Sequence, residues 1–152
     1  MVNEEMSSPV TKIYTDGRGN NGWFGGDGGD FASLLLSCAQ GRMEAPIEVK
    51  PGACVTVVMA APGYPGKYPK GLPIAGLDAA NALPDTVVFH AGTALKDGAT
   101  VTSGGRVLAV TALGADIRAA VDAAYAGVAK ISFDGAHNRK DIARRAFGRS
   151  QP

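Results

Sequence analysis

At 152 residues, with 45% hydrophobic and 19% charged residues, the chain has the composition of a single globular domain rather than of a disordered polymer. Its net charge of +1 gives no bulk attraction to nucleic acid or to an anionic membrane, and no apolar run approaches the roughly 18 residues of a membrane span. The acidic N-terminus has no apolar core of the kind found in signal peptides, so we expect a cytoplasmic protein.

The first 29 residues differ in composition from the rest of the chain. Seven glycines lie between Gly17 and Gly29, and only Trp23 and Phe24 could anchor that stretch in a core. Such a segment buries too little apolar surface to offset its chain entropy. We therefore predict a flexible glycine-rich segment over residues 1–29, followed by one folded domain over residues 30–148.

The remaining elements follow from apolar patterns and turn residues. Asp30 is expected to cap a helix over residues 31–41, and Asp116 a longer helix that reaches about Lys130. Ile117, Val121, Ala124, Val128 and Ile131 share helical spacing and are expected to face the core. The other predicted elements are strands at 54–59, 86–90 and 106–111, a short strand at 72–74, a helical turn at 77–83, a hairpin pairing 93–95 with 100–102 around Lys96-Asp97-Gly98, and a short basic helix or coil at 137–149.

These elements indicate an α+β fold, in which a small antiparallel or mixed sheet carries two main helices. Cys38 and Cys54 lie in helix-like and strand-like apolar runs. We expect both to be buried thiols rather than a disulfide or a metal pair, because buried cysteine behaves as a small hydrophobic residue.

Two glycine-rich loops are the best candidates for a ligand site. The first follows the strand at 54–59 and contains Gly63-Tyr64-Pro65-Gly66 with Lys67 and Lys70, and the second is Ser103-Gly104-Gly105 beside Arg106. Glycines allow a ligand close to the backbone, and a guanidinium is a two-pronged anion donor. The alternatives remain open: a rigid proline loop with solvated lysines, and an ordinary surface arginine.

No catalytic set is visible in the sequence. There is no Ser-His-Asp arrangement, convincing carboxylate pair or histidine and cysteine spacing for zinc. His90 ends a strand, where a lone histidine is more often a hydrogen-bonded structural residue than an acid or base. His137 and the basic residues from Arg139 to Arg149 suggest a solvated face. From the residues alone, the chain is interpreted as a binding module.

Five ordered blocks add a family resemblance to this interpretation. They resemble the C-terminal domain of phosphoribosylamine–glycine ligase, also called glycinamide ribonucleotide synthetase, which belongs to the ATP-grasp superfamily. The blocks are DFASLLLSCAQGRM (30–43), CVTVVMAAPGYPGKYPKGLPIAGL (54–77), VVFHAGTALKDG (87–98), VTSGGRVLAVTALG (101–114) and FDGAHNRKDIARRA (133–146).

The resemblance implies a role in purine biosynthesis. Enzymes of this family join phosphoribosylamine to glycine with ATP and magnesium, and their C-terminal domain closes the substrate side of the site. The resemblance assigns no catalytic or metal-binding residue to this chain, and it expects no cofactor here, since ATP and magnesium belong to the full-length enzyme. The implied substrate-binding positions are Gly63, Tyr64, Pro65, Gly66, His90, Gly92, Thr93, Gly104, Gly105 and Arg106.

The departures from the family are also informative. The family's upstream ATP-grasp region has no counterpart here, and its Arg-Phe-Gly-Asp-Pro-Glu signature is replaced by NGWFGGDGG at 21–29. We therefore expect no ligase activity from the chain alone, and an ATP-grasp domain supplied by a separate chain as its partner. Two alternatives stay open: a stand-alone module that binds a phosphorylated metabolite, or a non-functional product of a truncated gene.

Overall fold

A computed structural model of the chain describes residues 12–14, 21–23, 36–42 and 51–147. The chain divides into two units, residues 1–51 and 52–152, and each is described by itself. No helix among the described residues has the length and apolarity needed to cross a membrane.

In the first unit, β1 (Lys12–Tyr14) pairs antiparallel with β2 (Asn21–Trp23). This strand pair is not predicted from the sequence, and the rest of the segment predicted to be flexible lies outside the described residues. Residues 36–39 are helical, as predicted, and most of the remaining predicted helix also lies outside the described part. Cys38 is exposed, so its predicted burial is wrong, whereas Cys54 is buried as expected.

The second unit is built around a four-stranded antiparallel sheet. Its strands are β3 (Ala53–Ala60), β4 (Thr86–His90), β7 (Arg106–Gly114) and β8 (His137–Asn138), in the order β4-β7-β3-β8. The predicted strands at 54–59, 86–90 and 106–111 are all confirmed, and every pairing in the sheet is antiparallel. The strand β8 replaces the start of the predicted basic helix or coil, and a short 3-10 helix follows at Arg144–Ala146.

The predicted hairpin forms from β5 (Thr93–Lys96) and β6 (Ala99–Thr102). Asp97 and Gly98 form its turn with φ angles of 50° and 79°, both in the left-handed region. Two such residues in succession are typical of the hairpin turns that match strand twist, and Asp-Gly is a favoured sequence for them. Of the predicted short strand at 72–74, only a single bridge from Pro73 to Val101 of the hairpin forms.

Two helices pack with the sheet, α1 (Leu77–Asn81) and α2 (Ile117–Lys130). Asp116 caps α2 as predicted, because its Oδ1 accepts a hydrogen bond from the Ala119 N–H at 2.8 Å. Ala124 and Val128 are buried as expected, but Ile117 and Val121 are only half-buried.

Small residues explain how closely α2 approaches the sheet. Ala120 and Gly127 are buried on α2, and a Cβ on Gly127 would lie 2.7 Å from Cγ1 of Val110 in β7. The core beneath the helix contains the fully buried side chains of Val57, Leu108 and Val110. The α+β class is therefore confirmed, with an antiparallel sheet.

Candidate functional site

Four connections meet at one end of the sheet, because neighbouring antiparallel strands begin and end there in alternation. At this end β3 runs into the loop after Ala60, β4 ends at His90, β7 begins at Arg106 and β8 begins at His137. We call this the site end. All ten predicted substrate-binding residues lie in it or directly beside it, although they come from three separate stretches of sequence.

Two backbone segments touch at Gly92 and Gly104. A Cβ on Gly92 would lie 2.5 Å from the Arg106 carbonyl oxygen and 2.7 Å from the Gly104 Cα. The Gly92 carbonyl also accepts hydrogen bonds from the Ser103 and Gly104 N–H groups, at 2.7 and 3.0 Å. Glycine is needed here because backbone meets backbone with no space for a side chain.

The GYPG loop packs on Gly105. The Ala61 N–H donates to the Gly105 carbonyl at 2.8 Å, and a Cβ on Gly105 would lie 2.2 Å from Cδ2 of Tyr64 and 2.9 Å from Cε1 of Tyr68. The two tyrosine rings contact each other at a tilted 59°, with centroids 6.2 Å apart. Both tyrosine rings therefore pack against Gly105, and these contacts link the first predicted loop to the second.

His90 and Thr93 form a local pair at the start of the hairpin. Nδ1 of His90 lies 2.9 Å from Oγ1 of Thr93, and the tautomer decides which of the two is the donor. This bond agrees with the structural interpretation of His90. It also fixes the orientation of an exposed imidazole, whose Nε2 takes no part in that contact.

Four backbone N–H groups of the glycine loops are already used by the fold. Ser103 and Gly104 donate to Gly92, Tyr64 donates to Ala61, and Gly66 donates to Gly63 at 2.8 Å. An anion cradle needs N–H groups that point at the ligand. At these four positions the backbone N–H groups are therefore engaged by the fold and do not point at a ligand.

Arg106 is the side chain of the site end with the best chemistry for contact with an anion. It is exposed at the start of β7, and within the described residues its guanidinium has no hydrogen bond or ion pair. Arg139, by contrast, donates from Nε and Nη2 to the two carboxylate oxygens of Asp141, at 2.9 and 2.7 Å. That hydrogen bonding lowers the pKa of Asp141 and raises the pKa of Arg139.

His137 is not among the ten predicted site residues. Its Cα pairs with Ala60, the residue that also pairs with Arg106, so the fold brings His137 to the site end. A strand of two residues carries no periodicity, and no sequence signal identified it. Among the described residues, no group of three or more histidine, cysteine, aspartate or glutamate side chains is placed to hold a metal ion.

Comparison with known proteins identifies the class of domain. Residues 54–145 match the family model for phosphoribosylglycinamide synthetase, C domain, and the chain belongs to that family. The match includes every one of the ten predicted site residues.

Individual relatives show in which longer proteins a similar domain occurs. The chain is 50% identical over 116 residues to a phosphoribosylamine–glycine ligase of Synechocystis sp., covering 75% of this chain but 27% of the relative. It is 58% identical over 102 residues to the trifunctional purine biosynthetic protein adenosine-3 of Gallus gallus, covering 67% of this chain and 10% of that protein. The chain thus spans about a quarter or less of these relatives.

A solved structure supports the same placement. The crystal structure of a phosphoribosylamine–glycine ligase from Thermotoga maritima superposes with a TM-score of 0.62 at 36% identity, over 73% of this chain and 27% of that one. The fold is thus that of the C-terminal domain of this ligase, as the resemblance implied.

Proposed function

We propose that the chain acts as the substrate-side C-terminal domain of an ATP-dependent phosphoribosylamine–glycine ligase and has no ligase activity alone. The observation that carries this proposal is the convergence of ten family-matched residues at one end of the sheet, in a domain of that family. In the proposed complex, the site end faces phosphoribosylamine or the product glycinamide ribonucleotide.

The proposed division of labour follows from the demands of the reaction. Phosphoryl transfer requires several positioned groups that neutralise the charge of the transferring phosphoryl group. We propose that an ATP-grasp domain, acting in trans, supplies them together with ATP and magnesium. This chain contributes the Arg106 guanidinium, the oriented His90 imidazole and the tyrosine pair, which bind and orient the sugar-phosphate substrate and restrict the access of water.

A complementation assay tests this proposal. The ATP-grasp part of the Synechocystis relative, expressed without the residues that match this chain, is mixed with the chain, and ATP-dependent formation of glycinamide ribonucleotide is measured. We expect activity only in the mixture. Arg106→Ala should lower it, and Lys96→Ala, at the hairpin turn, serves as the matched control.

Two results would contradict the proposal. Product formation by the chain alone would refute the predicted inactivity. A mixture that stays inactive, while the relative's own C-terminal part restores activity under the same conditions, would refute the role as a working ligase domain.

A stand-alone binding module is the second candidate. It is favoured by the fact that every candidate site residue lies within the unit 52–152, so that unit holds its own candidate ligand groups. A ligand-induced rise in the melting temperature of the isolated chain with glycinamide ribonucleotide, combined with failure of complementation, would favour this candidate.

A further inference from the structure

The sheet register places His137 and Arg106 on either side of one residue. Ala60 in β3 pairs with Arg106 of β7 on one side and with His137 of β8 on the other. The register of β3 with β7 shifts between Met59, which pairs with Leu108, and Ala60, which pairs with Arg106, so Arg106 lies at an irregularity of the ladder at the site end. Two strand spacings of about 4.8 Å each separate the Arg106 and His137 backbones by roughly 10 Å.

The turn before β8 is held against the loop after β3. Gly135 has a φ of 64°, and a Cβ on it would lie 2.6 Å from Cβ of Pro62. The Ala136 N–H closes the turn by donating to the Phe133 carbonyl at 3.1 Å, and the Phe133 side chain is buried. His137 is therefore held on a backbone that is fixed on both sides, by this turn and by its pairing with β3.

Close to Arg106 and Arg139, the ring of His137 remains available to an anion. Like Arg106, His137 is exposed, and within the described residues its imidazole has no hydrogen bond or ion pair. The nearby Arg139 is already engaged by Asp141 through two hydrogen bonds. Asp134, in the turn before β8, is a second acidic residue in addition to Asp141, and its exposed carboxylate would oppose an anion there.

We propose that His137 is a second ligand-binding residue of the site end, and that it donates a hydrogen bond to the phosphate group that Arg106 binds. This inference rests on the proposed function, since it takes the ligand to be a sugar phosphate. A roughly 10 Å span leaves room for one phosphate group between a long guanidinium side chain and a shorter imidazole. The phosphate oxygens accept hydrogen bonds from both side chains.

The test compares two probes that differ only in the phosphate. The full chain is titrated with glycinamide ribonucleotide by calorimetry and with the dephosphorylated glycinamide riboside by NMR. Wild type should bind the ribonucleotide more tightly than the riboside. Arg106→Ala should weaken ribonucleotide binding about tenfold and His137→Ala about three- to fivefold, as expected for charge-assisted hydrogen bonds that are partly exposed to solvent.

The variants separate ligand contact from a structural role. His137→Ala should leave the riboside affinity and the melting temperature unchanged, because the side chain is exposed and its strand pairing is made by the backbone. His137→Gln keeps an N–H donor and should recover part of the ribonucleotide affinity. Asp134→Asn should tighten ribonucleotide binding slightly, and Lys96→Ala should change neither affinity.

The other possible results contradict either this inference alone or this inference together with stand-alone binding. If wild type binds both probes equally, or if His137→Ala leaves ribonucleotide affinity unchanged, this inference fails while the proposed function stands. Equal weakening of both probes by His137→Ala would also refute a phosphate contact. If the folded wild-type chain binds neither probe, both this inference and the stand-alone binding of substrate fail, and complementation alone decides the proposed function.

Discussion

The two ends of the four-stranded sheet use glycine in the same way but side chains differently. At the end opposite the site, a Cβ on Gly114 would lie 2.2 Å from the Ala120 nitrogen, so the strand runs directly against α2. At the site end, Gly92 meets Gly104 just as closely. Glycine content therefore identifies tight backbone packing at both ends, and it does not by itself identify a ligand site.

The charged side chains distinguish the two ends. Near Gly114, Asp116 caps α2, and the Arg118 guanidinium stacks 4.9 Å from the centroid of the Phe147 ring. At the site end, the side chains of Arg106 and His137 have no such partner within the described residues, whereas Arg139, just beyond β8, is bound to Asp141. Charged groups that the fold has already engaged stabilise the fold, whereas exposed groups held on a fixed backbone are available to a ligand.

The largest expected effect concerns the core that both ends share. Leu108 is fully buried in β7, one of the two inner strands, and pairs with both Met59 and His90. Leu108→Ala should lower the free energy of unfolding by about 2–5 kcal/mol, because it removes buried apolar contacts and leaves a cavity. Denaturant unfolding followed by circular dichroism measures this loss. A loss below about 1 kcal/mol would show that the core there repacks easily.

The glycine contacts give the next largest effects. Gly92→Ala and Gly114→Ala should each cost about 1–3 kcal/mol, because the added methyl group meets backbone atoms that cannot turn away. Gly104→Ala, whose nearest neighbour would be the Gly92 Cα at 3.0 Å, is the graded control and should cost less. Thermal unfolding of the three variants measures the order of their stability losses.

Ligand affinity then separates these glycine variants. Gly92→Ala should also weaken ribonucleotide binding, Gly104→Ala should weaken it less, and Gly114→Ala should leave it unchanged, measured at a temperature at which all three variants stay folded. Weakened binding in Gly114→Ala would mean that the two ends are coupled through the sheet, and the contrast between them would be lost.

A smaller effect separates an engaged charge from an available one. Asp116→Ala removes the cap of α2 and should cost about 1 kcal/mol of stability with no change in ligand affinity. Arg106→Ala should show the reverse, with a stability change within about 0.5 kcal/mol, as is usual for exposed surface positions. Melting temperature and ribonucleotide affinity, measured for both variants, test this opposite pattern of effects. A large loss of stability in Arg106→Ala would show that the arginine stabilises the fold.

The strands and the hairpin could be predicted because their signals are local. The apolar run from Cys54 to Met59 and the Asp-Gly turn at 97–98 require no knowledge of distant residues. The cap at Asp116 is equally local. β8 could not be predicted, because only its pairing with β3, far away in sequence, makes His137 and Asn138 a strand.

The candidate site residues could be selected from the sequence, but the contacts that hold them in place could not, and ligand binding by them stays a prediction. Glycine loops and the family resemblance selected residues that the fold does gather at one end. The sequence could not show that the Ser103 and Gly104 N–H groups would be taken by Gly92, because that contact is tertiary. For the same reason, helical periodicity favoured the larger side chains Ile117 and Val121 over the small residues that approach the sheet.

The smallest expected effect concerns Asp141, an exposed carboxylate engaged by Arg139. The hydrogen bond from Arg139 lowers the pKa of Asp141 below its ordinary value of 3.8 in the folded chain. A carboxyl whose folded pKa is lowered stabilises the fold above its unfolded pKa, and that contribution is lost as the pH falls through the folded pKa. Asp141→Asn should therefore melt slightly below wild type at neutral pH, and the two curves should meet in acid. Melting temperatures measured across that range test the sign, since a difference that persists below the folded pKa would have to come from packing rather than from the charge.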